Sequence, residues 1–555
     1  MNPQRRSRRT IDGQVFDVLV IGGGVTGVAI ARECAQRGMR TLIAEQHDFA
    51  SGATSRSTRI IHGGLRGLKR GDIAQARECL RERDQLMERL PHLVKPMQFL
   101  LALPRNPLNL LRSSLAVRTG LWIYQLLNGN KQPRPDAGRT FEAQLNSGQS
   151  WSVYPYEDAQ CEFPERVVAE WLGEAVAAGA VASNYTQALK VVRTSGRVSG
   201  AYLRDALTGH EFTVGASWVI NATGAWAEQV IKSSNLLVQP ILEGVRGSHL
   251  LLPLFPGAPK QGVRAEARDG SATVVIPWNG QILVGTTQVS DSRDPAQAAP
   301  DALEINHLMN SFLRLFPASG LTRSDIRGSY SGVWAGPCGS AARTAPFSSR
   351  HILHEHGEQG AIGLITVTGG NLSSAVNVAR DVTRTMGLAM AKPAISFGLG
   401  PSEDSMESAL KHWVRLVAFK ARITNESAHA LAEWYGRNAL SVAHIASLDE
   451  RLREPICSHS THLLAEAVYA AQQEHAVTLA DIVLRRVPVA LGACWSESCS
   501  REAALRIGTA LDWDHERIAI ELDELEDERE RFLHPQVGTV PVRTPIGRRT
   551  VAEVA

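Results

Sequence analysis

The segment VFDVLVIGGGVTGVAIARECAQRGMRTLIAE, from Val15 to Glu45, brings together residues whose types and spacing suit the binding of a dinucleotide. A strand pattern runs into Gly22-x-Gly24-x-x-Gly27, followed by a helical pattern, a second strand and an acid at its end. Gly22 allows a tight turn and Gly24 lets the backbone approach a pyrophosphate. Gly27 permits close packing of helix on strand, and the helix N-terminus offers free N–H groups and a positive dipole end. Glu45, about 20 residues beyond the glycines, can hydrogen-bond both ribose hydroxyls.

Further loops extend this pattern. GATSRSTRIIHGGLRGL, from Gly52 to Leu68, contains Thr54, Ser55 and His62; Asn221-Ala222-Thr223-Gly224 and Thr368-Gly369-Gly370-Asn371 follow far downstream. Such widely separated Gly/Thr loops suggest one long ligand lying across a domain. No second GxGxxG serves a nicotinamide, since Gly398-Leu399-Gly400 lacks the third glycine. A tightly held FAD fits better than a nicotinamide carrier.

The elements that position these loops can be read along the chain. From residue 14 to about 395, short Val/Ile-rich runs alternate with helical patterns and Gly-containing turns, which predicts an α/β architecture. Beyond Phe397-Gly-Leu-Gly-Pro401 the texture changes, and from 402 to about 534 apolar residues recur at helical spacing, predicting a separate helical domain. Residues 1–13 and 535–555 read as tails, the first carrying Arg5, Arg6, Arg8 and Arg9 without an acid. No internal repeat interrupts this order.

Composition bounds the function. The 555 residues are 44% hydrophobic and 21% charged, which excludes disordered, collagen-like and disulfide-scaffold classes. With the Arg-rich start set aside, the net charge of +3 leaves a balanced body without the basic stripe of a nucleic-acid binder. Cys34, Cys79, Cys161, Cys338, Cys457, Cys494 and Cys499 form an odd, dispersed set without CxxC, as expected of reduced thiols in a cytoplasmic protein. Cys494 and Cys499 lack a nearby His cluster, so they read as buried thiols and not as a metal site.

The apolar stretch from Phe99 to Leu127 is broken by Arg105, Arg112 and Arg118 and by Pro104 and Pro107, so it cannot span a membrane. Its second half could lie on an anionic membrane surface with Trp122 and Tyr124 at the headgroup level. An amphipathic helix packed on the core is the equal alternative.

The ordered motifs VIGGGVTG, ATSRSTRIIHGGLR, NATGAWA, GSH (Gly247–His249), IPW…GTT (Ile276–Thr287), YSGV (Tyr330–Val333) and TLADIVLRR resemble the FAD-dependent glycerol-3-phosphate dehydrogenases of aerobic type. The resemblance runs from about Phe16 to Arg531. It implies a glutathione-reductase-like FAD-binding Rossmann domain with segments at about 14–95, 165–235 and 340–395. An antiparallel-sheet substrate domain is inserted at about 96–164 and 236–339, and a C-terminal helical domain follows. The implied activity is oxidation of sn-glycerol 3-phosphate to dihydroxyacetone phosphate, with electrons passed to a quinone. The implied location is cytoplasmic, on the inner face of the cell membrane. Oligomeric state is not legible.

Taking hydride from a secondary alcohol requires a base for the hydroxyl proton beside the flavin. His249 and His62 are the candidates, His249 as the base and His62 as the flavin neighbour. The resemblance places Arg350 and Arg66 at the anionic end of the substrate, where a guanidinium fork suits a phosphate. The chain also departs from the pattern. Trp334 stands where the family has a phosphate-binding Arg, Asn371 replaces a Lys, Gly67 replaces a Tyr and Gln288 an Asp. Arg343 could replace the missing guanidinium, or Asn371 and Trp334 could favour a non-phosphorylated polyol, hydroxy acid or amine. A flavoprotein scaffold without turnover is the third reading.

Overall fold

The computed structural model describes residues 11–69, 71–104, 110–129, 145, 151–266, 272–338, 350–388 and 403–534. The Arg-rich start, Arg343 and the tail 535–555 lie outside the described residues, as do the side chains of Arg66 and of residues 110–116.

The first strand, Val15–Ile21, is the centre of an eight-stranded sheet. It pairs in parallel with Thr41–Ala44 on one side and Glu211–Asn221 on the other, and Leu364–Gly369 continues the parallel set. The strand reads as a near-continuous apolar run because both sheet faces are covered. Val18 and Val20 pack with the helices Val25–Gln36 and Pro164–Ala177, while Leu19 and Ile21 pack with the hairpin Thr186–Thr194/Arg197–Asp205.

A second, nine-stranded sheet runs in the order Val289–Ser290, Leu242–Leu252, Gln281–Gly285, Ala272–Trp278, Gly262–Glu266, Val94–Pro104, Trp151–Cys161 and Ile60–Ile61, with Gly328–Pro337 also paired to Leu242–Leu252. It is not purely antiparallel as expected, because Gly262–Glu266 lies parallel to Val94–Pro104. The long chain between those two strands has room for a crossover, so nothing local forces an antiparallel return. The fold is therefore the α/β FAD-binding class with a mixed second sheet.

The C-terminal segment is helical, from Glu403–Ala421 through His515–Phe532. This helical domain packs directly on the second sheet. Leu251, Ile276, Trp278 and Tyr330 of the second sheet share one core with Ile482, Leu491, Ile507 and Phe532. The reason is composition: both surfaces are apolar and bury each other.

The helix Leu110–Leu127 buries Tyr124 at 1% exposure and leaves Trp122 at 61% and Leu126 at 53%. Trp122 and Tyr124 therefore do not share a face as expected, since two helical steps turn a side chain through about 200°. Among the described residues no helix is long and apolar enough to cross a membrane. The expected burial holds for Cys499 but not for Cys494, which is exposed.

Candidate active site

A cavity of about 3430 Å³ opens between the two sheets and the C-terminal helices, well above the roughly 300–1,000 Å³ of an ordinary small-molecule pocket. Its floor is the glycine loop. Gly22 has φ of +107°, and a Cβ there would come within 2.6 Å of the Ala222 carbonyl oxygen. A Cβ on Gly27 would reach 1.9 Å from the Gly22 oxygen, so helix and strand approach as closely as backbone allows. Gly24 starts the helix, and Thr54 Oγ1 accepts the Val25 N–H at 3.1 Å, binding the second Gly/Thr loop to the first.

Glu45 lies at the end of Thr41–Ala44, where its two oxygens accept the Gly23 N–H at 2.6 Å and the His47 N–H at 2.9 Å. Each oxygen keeps lone-pair capacity for a ribose hydroxyl. Burial pushes its pKa up, against the two N–H bonds that favour the carboxylate. Ala222, Thr223, Gly224, Gly370, Asn371 and His62 all line the cavity, whereas Ser55 does not. Ser55 is buried and donates to the Ala50 carbonyl, so it shapes its loop from behind. Asn221 does the same for the third loop, accepting Thr223 Oγ1–H at 2.7 Å and donating to the Ala227 carbonyl at 2.9 Å.

His249 sits within the strand Leu242–Leu252, stacked on Tyr330 at 4.8 Å between ring centroids. A Cβ on Gly285 would lie 2.2 Å from its ring, so only glycine leaves room for this imidazole. Its Nε2 meets Thr58 Oγ1 at 3.1 Å and its Nδ1 has no hydrogen-bond partner. Nδ1 is itself buried, so Nε2 is the ring nitrogen that a ligand could meet, in exchange for Thr58. Burial, with Arg59 nearby, lowers the His249 pKa to about 3, so the ring is neutral. His62 Nδ1 stands 3.7 Å from Asp158 Oδ2, and Asp158 also accepts the Gly63 N–H at 2.7 Å and the Tyr124 hydroxyl at 2.6 Å.

The cations are arranged differently from the expectation. Arg350 is exposed, ion-paired with Asp72 at 3.2 Å, and is not among the cavity-lining residues. Arg66 sits in the short helix Leu65–Lys69, its side chain outside the described residues. Arg59 of the same motif is fully buried, bridging Glu165 and the Glu162 and Ser55 carbonyls and stacking on Trp278. Arg264 is a cation that the sequence did not single out. It lines the cavity and makes no ion pair among the described residues. In register across the sheet, Arg264 pairs with Val274, Val274 with Gly285 and Gly285 with His249, so these side chains share one face. A charged residue between apolar Val263 and Ala265 was the available signal, but alternation alone cannot tell a cavity from solvent.

Comparison with known proteins decides the family. Residues 17–383 match the family described as FAD dependent oxidoreductase, and residues 400–518 match the C-terminal domain of alpha-glycerophosphate oxidase. The chain belongs to the FAD-dependent oxidoreductases. It is 32% identical over 502 residues to a glycerol-3-phosphate dehydrogenase of Synechocystis sp., covering 87% of this chain and 90% of that one. It is 27% identical to the aerobic glycerol-3-phosphate dehydrogenase of Bacillus subtilis over 85% of this chain and 87% of that one. The fold matches that of glycerol-3-phosphate dehydrogenase from Bacillus halodurans complexed with FAD, at TM-score 0.75 and 23% identity, over 97% of this chain and 100% of that one.

FAD is the cofactor of this family, and the residues present fit it. The glycine cradle has no space for side chains, and Glu45 stands where the second strand ends, as a ribose acceptor must. The two departures at the far end of this oxidoreductase's cavity are both engaged. Trp334 donates from Nε1 to the Gly370 carbonyl at 2.8 Å. Asn371 Oδ1 accepts the Ser374 N–H at 3.0 Å, holding the turn that starts the helix Ala375–Thr385.

Proposed function

We propose that this FAD-dependent oxidoreductase oxidises sn-glycerol 3-phosphate to dihydroxyacetone phosphate and passes the electrons to a quinone. The observation that carries the reading is that Arg264 and His249 both line the cavity from one register row of the second sheet, with Val274 and Gly285 between them. Three strand spacings separate their backbones by about 14 Å. An extended arginine and an imidazole reaching inward reduce that gap to the length of a small phosphate ester.

FAD supplies the hydride acceptor at flavin N5 for the hydrogen on C2. Arg264 takes the phosphate in place of the family cation lost at Trp334. His249 accepts the C2 hydroxyl proton at Nε2, exchanging its bond to Thr58 for one to the substrate, because Nδ1 is buried. The dianion and the developing alkoxide favour the protonated imidazole, countering the burial that keeps it neutral beforehand. His62, held by Asp158, stands beside the flavin. Arg350 reaches the anion only on release of Asp72.

Anaerobic reduction of the bound flavin tests this directly. Saturable bleaching by sn-glycerol 3-phosphate, with glycerol and hydroxy acids inert, is the expected result. Bleaching only by an uncharged alcohol, hydroxy acid or amine moves the substrate class, and no bleaching by any of them leaves a scaffold. The quinone acceptor and a cytoplasmic, peripheral membrane location belong to the same proposal. Its support is the exposed pair Trp122 and Leu126, one turn apart on a helix that also bears exposed Arg118. Sedimentation with anionic vesicles should fall when Trp122 and Leu126 are changed to serine; unchanged sedimentation removes that part.

A further inference from the structure

Asp48 lies three residues beyond Glu45, in the loop that must border the adenosine half of FAD, and its side chain is fully buried. Its carboxylate is held from the other end of the chain. Arg485 Nε donates to Oδ2 at 2.5 Å, and Arg486 donates from Nη1 to Oδ2 and from Nη2 to Oδ1, both at 2.7 Å. Both arginines belong to one π-helical turn, Asp481–Arg486, of the C-terminal segment. That turn is fixed in its own right: Arg485 also meets Asp481 at 2.8 Å, and Arg486 Nε donates to the Glu474 carbonyl at 2.9 Å.

The loop is caught between this turn and the glycine cradle. The Tyr185 N–H donates to the His47 carbonyl at 2.8 Å, and the Tyr185 hydroxyl donates to Asp481 at 2.6 Å, so one residue joins both sides. Phe49 packs edge-on against His475 and against the backbone of Gly23, where a Cβ would come within 2.4 Å of its ring. Val477, Thr478 and Arg485 themselves line the cavity beside Glu45 and His47.

We propose that Arg485 and Arg486 are positioning residues for FAD: by gripping Asp48 they hold the Glu45–Phe49 loop in the conformation that presents Glu45 to the ribose. The C-terminal helical segment is thereby part of the cofactor site, and FAD binding and the seating of that turn are reciprocally linked. The inference rests on Glu45 as the ribose acceptor, so Glu45→Gln measures that reading by itself.

The test uses the full chain, loaded with FAD and stripped of it. Arg486→Gln should raise the FAD dissociation constant, read from flavin fluorescence, tenfold or more, and shrink the gain in melting temperature that FAD gives over the apoprotein. Arg486→Lys should recover only part, because a point charge cannot span both Asp48 oxygens. Arg486→Gln and Glu45→Gln should combine non-additively, since both act on one loop. If Arg486→Gln lowers the melting temperature of apoprotein and holoprotein equally and leaves FAD affinity unchanged while Glu45→Gln weakens it, the network is structural glue and the inference falls. Hydrogen exchange on the unaltered chain decides the matter even if the variants misfold. FAD added to the apoprotein should slow exchange in residues 475–486 as well as in 45–49, and protection confined to 45–49 overturns the proposal.

Discussion

Arg264 and Arg350 carry the same charge in different surroundings, and the surroundings set what each substitution does. Arg264 lines the cavity without an ion pair among the described residues, while Arg350 spends its charge on Asp72 in water. Arg264→Ala should raise KM for glycerol 3-phosphate by roughly tenfold to a hundredfold, the worth of one charge-assisted hydrogen bond. Arg350→Ala should stay within roughly twofold of the parent, as removal of an exposed pair usually does. Steady-state kinetics on the two variants separates them, and the reverse ranking returns the anion site to the rim. His249 makes a second residue-scale prediction. Burial opposes its cation, so its pKa falls to about 3 and the free enzyme carries it neutral well below pH 6.5. The kcat/KM profile, which reports the free enzyme, should therefore show no acid limb near 6.5 that His249→Gln abolishes. Such a limb would place the ring in a wetter, more basic setting.

At the scale of elements, Glu82 on the helix Ile73–Arg89 accepts the Asn377 side-chain N–H at 2.7 Å from the helix Ala375–Thr385. Burial, aided by Glu78, raises its pKa from 4.5 to about 7. A folded-state pKa above the unfolded one means that the folded chain holds the extra proton between those values, so stability declines as pH rises through that window. Glu82→Gln keeps the acceptor and removes the charge. It should change little at pH 4.5 and stabilise by on the order of 2–3 kcal/mol at pH 8, read from urea midpoints at the two values. The elements themselves were largely legible, because strand Val15–Ile21, the glycine turn and the helix after it each follow a local rule. What failed was pairing across distance. Tyr124 carried the composition of a headgroup anchor, yet its hydroxyl serves Asp158, and no periodicity in its own helix points to residue 158. The motif TLADIVLRR read as helical, but its partner Asp48 is 437 positions away from Arg485. Arg350 was placed by resemblance alone, and resemblance does not register a neighbour such as Asp72.

At the scale of the molecule, the second sheet shares one core with the C-terminal helices and another with the first sheet, and ion pairs that bury both partners join the C-terminal segment to the rest. Buried pairs of this kind add little net stability when intact and are costly to break, because the partner left behind has no water. Asp48 shows the sign of the effect. Burial would raise its pKa, but Arg486 and Arg485 outweigh burial and hold it at about 2, against an ordinary 3.8. The folded chain therefore binds fewer protons than the unfolded one between those values. The contribution is complete above pH 3.8 and is lost as pH falls toward 2, amounting to on the order of 2 kcal/mol. Asp48→Asn lacks it at every pH and also leaves two buried guanidinium groups facing a neutral amide. The melting temperatures of the parent and Asp48→Asn should thus lie far apart from pH 5 to 7 and converge as the solution is acidified below about pH 4. A gap that stays constant through that acid range would mean that the C-terminal turn is seated by the shared apolar core, with Asp48 incidental to it.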